Sequence, residues 1–169
     1  MKKQIISGDI SSIESDALIT AVNSSGMWFG GIDGVIRRAA GNFFHQQLAS
    51  NLSSLSDGKA FFAPGEKLKH QGKFKNVIFV IDDLQMKLHQ IVLEGLKEAE
   101  KRQTGHVTIP TIRMGVMLGV VEKTEDEALE QIAMAIRVFE KSNPTFVKQI
   151  SFVVYQNQAL EKGLAKKIS

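Results

Sequence analysis

Six short runs of β-forming residues punctuate this chain, and the segments between them carry apolar residues at three- and four-residue spacing. The runs are Gln4 to Ser7, Ala17 to Val22, Ala60 to Ala63, Val77 to Ile81, Val107 to Ile109 and Ile150 to Tyr155. Several are apolar at consecutive positions, as strands buried on both faces are. Strands that alternate with helical patterns need crossover connections, so the order predicts a largely parallel sheet sandwiched by helices.

The helical segments have identifiable ends. Leu84, Leu88, Ile91, Val92, Gly95, Leu96 and Ala99 recur at helical spacing, with Glu94, Lys97, Glu98 and Lys101 mostly on the opposite side. Glu125 to Glu140 repeats the arrangement, with Thr124 as N-cap and Asn143-Pro144 as the stop. A shorter helix is predicted to begin at Asp33 or Gly34 and another to cover Asn42 to Leu52, broken by Gly41.

With 169 residues, 43% of them hydrophobic, the chain has material for one core, and a single domain over residues 1–169 is expected. It has no cysteine, so disulfides do not hold the fold. No apolar run approaches the roughly 18 to 20 residues of a membrane span, and a soluble cytoplasmic protein is expected. The net charge of +3 permits attraction to phosphates without indicating nucleic acid. Lys162, Lys166 and Lys167 read as a solvated helix face. His45, His70, His89 and His106 are dispersed, without the spacing of a metal site, and are expected at the surface or in loops. Neither metal nor cofactor is predicted, and no hydrolase nucleophile motif occurs.

In an open α/β sheet, ligands bind beyond the carboxyl ends of the strands. The loop Asn23 to Gly34 follows the second run and holds Gly26, Gly30, Gly31 and Gly34. Its glycines let backbone amides approach a ligand, and the helix start beyond it suits a phosphate. It is neither a Walker loop nor the dinucleotide-binding glycine fingerprint. A glycine-rich turn that merely caps a helix is the alternative. A second loop, Arg113-Met114-Gly115-Val116-Met117-Leu118-Gly119, follows the fifth run. Arg113 is either a fork of donors for a phosphate or a solvated or salt-bridged side chain.

Together with Gly8-Asp9-Ile10-Ser11, these loops resemble the macrodomain family. The matching segments are Thr20-Ala21-Val22-Asn23, Gly30-Gly31-Ile32-Asp33-Gly34 with Val35 to Gly41 behind it, and Pro110 to Gly115. Gly58 to Leu68 is similar to the family's middle hairpin-like region. The resemblance preserves order over almost the whole chain and implies a three-layer α/β/α sandwich with a central mixed, largely parallel sheet.

It also implies a ligand, ADP-ribose or an ADP-ribosylated protein. Asp9, with Ile10 beside it, would accept a hydrogen bond from the adenine amino group, and Tyr155 would cover the ring. Gly30, Gly31 and Ile32 would line one side of the diphosphate and Gly115, Val116 and Met117 the other, with Gly34 and Met114 alongside. In the hydrolytic MacroD-like branch, the counterparts of Asn23 and Asp33 sit by the distal ribose. There Asn23 would orient ribose hydroxyls and Asp33 would position or deprotonate a water. Capping roles for both remain the alternative. A non-catalytic recognition module is the second functional reading, and a basic module for RNA or acidic surfaces the third.

The chain departs from the family pattern at several positions. Trp28 and Phe29 stand where glycines are usual, Thr20 replaces an asparagine, and Arg113-Met114 replaces a small polar pair. Gly119 lies one residue late, and Phe79 and Asp82-Asp83 replace a histidine and a Gly-Pro. Rings at 28 and 29 would cover, reshape or fill the distal pocket.

Overall fold

The computed structural model describes residues 1–27, 31–67 and 69–169. Its strands are β1 (Lys2–Ser7), β2 (Ser15–Val22), β3 (Ala60–Ala63), β4 (Phe74–Ile81), β5 (His106–Pro110) and β6 (Gln149–Val154). The helices are α1 (Gly31–Ala40), α2 (Phe43–Ala49), α3 (Leu88–Lys101), α4 (Glu125–Lys141) and α5 (Gln158–Ile168).

Among the described residues the strands form one six-stranded sheet in the order β1-β6-β5-β2-β4-β3. Every neighbouring pair is parallel except β3 with β4. The consecutive apolar residues of β2 and β4 explain why both faces are covered. On β2, Ala17, Ile19 and Ala21 join a core with α3, α4 and α5, while Leu18 and Val22 join another with α1 and α2. On β4, Ile78 and Val80 face the first core and Val77, Phe79 and Ile81 the second. This is the expected α/β/α sandwich with a mixed, largely parallel sheet.

Local signals set the helix ends. Thr124 Oγ1 accepts from Glu127 N at 3.1 Å, and Glu125, Asp126 and Glu127 occupy the first turn, where the helix dipole favours negative charge. Asn143 then adopts φ +53° after the last turn. Helix α3 starts later than its apolar spacing suggests. Leu84 has φ +60°, outside any right-handed helix, and Gln90 Oε1 accepts from Lys87 N at 3.1 Å to define the start. The segment expected as one helix from Asn42 to Leu52 ends at Ala49, and a 3-10 turn follows over Leu52–Ser54. In α5, Lys167 bridges Asp126 and Glu130 of α4 at 3.1 and 3.3 Å, so one lysine of the expected solvated face ties two helices together.

His45, His89 and His106 sit in helices or a strand and correct an expectation, whereas His70 lies in a loop as expected. His45 is 6% exposed and lies 3.0 Å from Asp33; His106 bonds Ser151 Oγ at 2.7 Å, and His70 stacks on Phe74. His89 Nδ1 is hydrogen-bonded to Gln131 Oε1 at 2.5 Å. No described helix is long and apolar enough to cross a membrane.

Candidate ligand-binding cleft

Strand order places the ends of β2, β5, β6 and β1 side by side, and their following loops surround a cleft of about 460 Å³. Gly8, Asp9 and Ile10 after β1, Thr20 and Ala21 of β2, and Val153 of β6 line it. Gly31, Ile32, Val35 and Arg38 of α1 form one wall, and residues 110–117, at the end of β5 and in the loop after it, another. Tyr155, Asn157 and Leu160, after β6 and at the start of α5, complete it. Ligand contact at strand carboxyl ends next to a helix start is the usual arrangement in such sheets.

Asp9 is exposed at this cleft and caps the 3-10 turn Ile10–Ser12. Its Oδ1 accepts from Ser11 N at 2.9 Å and Ser11 Oγ at 2.8 Å, and Oδ2 bonds no described residue. Tyr155 lies just past β6, 68% exposed.

Among the described residues, the loop after β5 leaves three successive backbone donors unused. Met114 N donates to Thr111 O at 3.2 Å and Leu118 N to Gly115 O at 3.1 Å. The N–H groups of Gly115, Val116 and Met117 between them donate to no described residue. Across the cleft, the first-turn amides of α1, beginning at Gly31 and Ile32, lack intrahelical partners by the geometry of a helix start. Two sets of unspent backbone donors therefore border one space. Exposed or half-buried Met114, Gly115, Val116 and Met117 all line it.

Of the two roles read for Arg113, a phosphate fork or a salt-bridged side chain, the structure shows the second. Its Nε and Nη2 donate to Asp82 at 2.9 and 2.6 Å, Nη1 to Glu122 at 3.1 and 3.0 Å, and Nη2 also to Met86 O at 2.8 Å. The five donors of a guanidinium are thus engaged inside the protein. Burial pulls the Arg113 pKa down, but bonds and charge from Asp82 and Glu122 outweigh it and hold it above the ordinary value. The residue has φ +63°, a conformation disfavoured by roughly 1–2 kcal/mol for a side chain with Cβ. The ion network holds it there, and with it the start of the loop after β5.

Asn23 and Asp33 are not among the residues lining the cleft. Asn23 Oδ1 accepts from Ser25 N, Ser25 Oγ and Met27 N at 3.0, 2.6 and 3.1 Å, which folds the loop after β2. Its Nδ2 donates to no described residue. Asp33 is 8% exposed, and its Oδ1 lies 3.0 Å from His45 Nε2. Gly34, half-buried, is likewise not in the lining. Trp28, Phe29 and Gly30 lie outside the described residues.

Thr20 drew notice in the sequence only as a departure from the family pattern, and Val35 and Arg38 only within a matching segment; none was expected to contact a ligand. Val35 and Arg38 follow Gly31 at i+4 and i+7, so the helical period of α1 carried the signal for both. Thr20 is 1% exposed, and its hydroxyl is buried without a hydrogen-bond partner.

Residues 19–128 match the model of the family described as Macro domain. ADP-ribose glycohydrolase MACROD1 of Rattus norvegicus is 26% identical over 163 residues; the alignment covers 91% of this chain and 60% of that protein. The chain thus spans less than two thirds of that relative's length. Macro domain-containing protein lmo2759 of Listeria monocytogenes is 27% identical, with 95% of this chain and 94% of that protein covered. The Trypanosoma brucei macrodomain in complex with ADP-ribose superposes with a TM-score of 0.76 at 17% identity, covering 98% of this chain and 68% of that one. With the family model matched over most of the sheet and its loops, the chain belongs to the Macro domain family.

Proposed function

We propose that the cleft binds ADP-ribose, free or attached to a protein, or a closely related ADP-ribosyl compound. The observation that carries this reading is the pair of unspent backbone donor sets, the α1 start and residues 115–117, bordering one cleft. A diphosphate can accept hydrogen bonds from donors on both sides. Asp9 offers a carboxylate oxygen to an exocyclic amine, and Tyr155 a ring face to a base. The Trypanosoma brucei macrodomain, solved with ADP-ribose, supports the ligand class. On this reading the whole chain acts as one binding domain. A calorimetric titration with ADP-ribose tests it, with saturable one-to-one binding expected and absence of heat counting against it.

A second reading, hydrolysis of an ADP-ribosyl bond, is favoured by the glycohydrolase name of the rat relative. Asp33 directly follows the cleft-lining Ile32 and would position the attacking water and take up its proton. Asn23 Nδ2 would orient the distal ribose. Incubation of an ADP-ribosylated protein with wild type and Asp33→Asn tests this: turnover lost with ADP-ribose affinity kept supports it, and equal turnover contradicts it.

A further inference from the structure

We propose that Arg38, rather than Arg113, supplies the side-chain positive charge that recognises the diphosphate in this cleft. The inference rests on the ADP-ribose reading above and adds a residue to it.

Only two cationic side chains line the cleft among the described residues, Arg38 and Arg113. Arg113 has its donors fully engaged by Asp82, Glu122 and Met86. Arg38 is exposed and forms neither an ion pair nor a hydrogen bond with any described residue. Its neighbour Arg37, by contrast, donates to Asn42 Oδ1 at 2.7 Å.

The position of the guanidinium is unusual for an unpaired cation. Side chains on a helix lean toward its N-terminus, and Arg38 does so: Nη1 lies 3.1 Å from where a Cβ on Gly34 would stand. The charge therefore rests against the first turn of α1, where the helix dipole is itself positive. A cation there gains nothing from the helix dipole in the empty protein, and the carboxylate of that turn, Asp33, is hydrogen-bonded to His45. The same arrangement becomes favourable once an anion occupies the cleft, since one phosphate then neutralises both.

An independent feature points to a polar occupant. Thr20 lines the cleft, and its hydroxyl is buried with no hydrogen-bond partner in the protein. Buried polar groups of this kind are normally satisfied. The cleft thus combines an unpaired cation, unspent amides and an unsatisfied hydroxyl, a set matched by a phosphorylated ligand.

The experiment measures ADP-ribose affinity by calorimetry for wild type, Arg38→Gln and Arg38→Lys at low and high ionic strength, together with the melting temperature of each ligand-free protein. Arg38→Gln should weaken binding about tenfold at low ionic strength, the scale of one lost charge-assisted hydrogen bond. The gap should shrink at high ionic strength, and Arg38→Lys should recover part of the affinity. The ligand-free Arg38→Gln protein should melt no lower than wild type, because it has lost a cation from a positive helix end. Wild-type affinity in Arg38→Gln overturns the assignment and leaves the ADP-ribose reading standing. Weaker binding accompanied by a lower ligand-free melting temperature also overturns it, since Arg38 would then be structural. Absence of ADP-ribose binding by wild type removes the reading itself and the inference with it.

Discussion

Arg113 and Asp82, 31 residues apart in sequence, meet through two hydrogen bonds of 2.6 and 2.9 Å, and neither side chain is more than 1% exposed. Glu122 closes the far side and also accepts from Leu88 N at 2.7 Å, so the group ties the loop after β5 to the start of α3. Removing the cation leaves two buried carboxylates unpaired. Arg113→Met should therefore lower stability by about 3–5 kcal/mol in a denaturant titration. A loss below about 1 kcal/mol, the range of an exposed pair, would contradict the burial described.

Asp33 and His45 make a second buried pair, and it complicates the usual test of catalysis. Asp33→Ala deprives His45 Nε2 of its partner and should cost about 1–3 kcal/mol. Asp33→Asn keeps an acceptor and should cost less. Thermal melts of the two variants check this; equal stability of wild type and Asp33→Ala would remove the structural role.

Two glycines predict opposite outcomes. A Cβ on Gly95 would stand 2.5 Å from Ile19 Cγ2 and 3.3 Å from Val80 Cγ2, inside the core between α3 and the sheet. Gly95→Ala should destabilise by about 1–3 kcal/mol through overpacking. Gly34 sits in α1, where a methyl meets only the flexible end of Arg38. Gly34→Ala should stabilise by roughly 0.5–1 kcal/mol through helix propensity. Melting temperatures shifted in the same direction would show that one environment is misassigned.

Stability should fall on acidification in two stages. Burial holds the pKa values of His70 and His106 below the ordinary 6.5, for His106 against the opposing charge of Asp16. The unfolded chain then takes up these protons first, so stability declines as pH drops through 6.5 toward the folded values. For Asp16, burial raises the pKa but the bond to Lys75 and the amides of His106 and Gly105 outweigh it, leaving the carboxyl below 3.8. Glu100 is likewise held below 4.5: burial opposes this, and the amides of Val147, Phe146 and Thr145 prevail. Both carboxylates contribute stability that is present above their unfolded pKa values and lost below them. Urea unfolding across the range checks the shape; stability constant from about pH 7 to 5 would contradict the histidine stage.

A substitution at Asp9 tests base recognition apart from folding. Asp9→Asn keeps Oδ1 as the cap for Ser11 but can replace the other oxygen with a donor. ADP-ribose affinity should fall while the melting temperature holds. Unchanged affinity would remove Asp9 from base recognition.

The strands were legible because continuous apolar runs signal burial on both faces, and each observed strand contains or nearly coincides with its predicted run. Thr124 was legible because an N-cap acts within three residues. The late start of α3 was not, since the positive φ of Leu84 arises where Asp82, Asp83 and Arg113 fix the loop. Arg113 illustrates the general obstacle. Its partners lie 31 and 9 residues away, and only the assembled sheet brings them together. Arg38 lay on a readable helical face, but its lack of a partner appears only when its surroundings are known.

The most direct measurement is calorimetric titration of the wild-type protein with ADP-ribose, in competition with ADP and with GDP. The cleft as described predicts saturable one-to-one binding that ADP displaces and GDP displaces poorly. Absence of binding, or displacement by GDP as effective as by ADP, would contradict a site in which backbone donors hold the diphosphate and Asp9 selects the base.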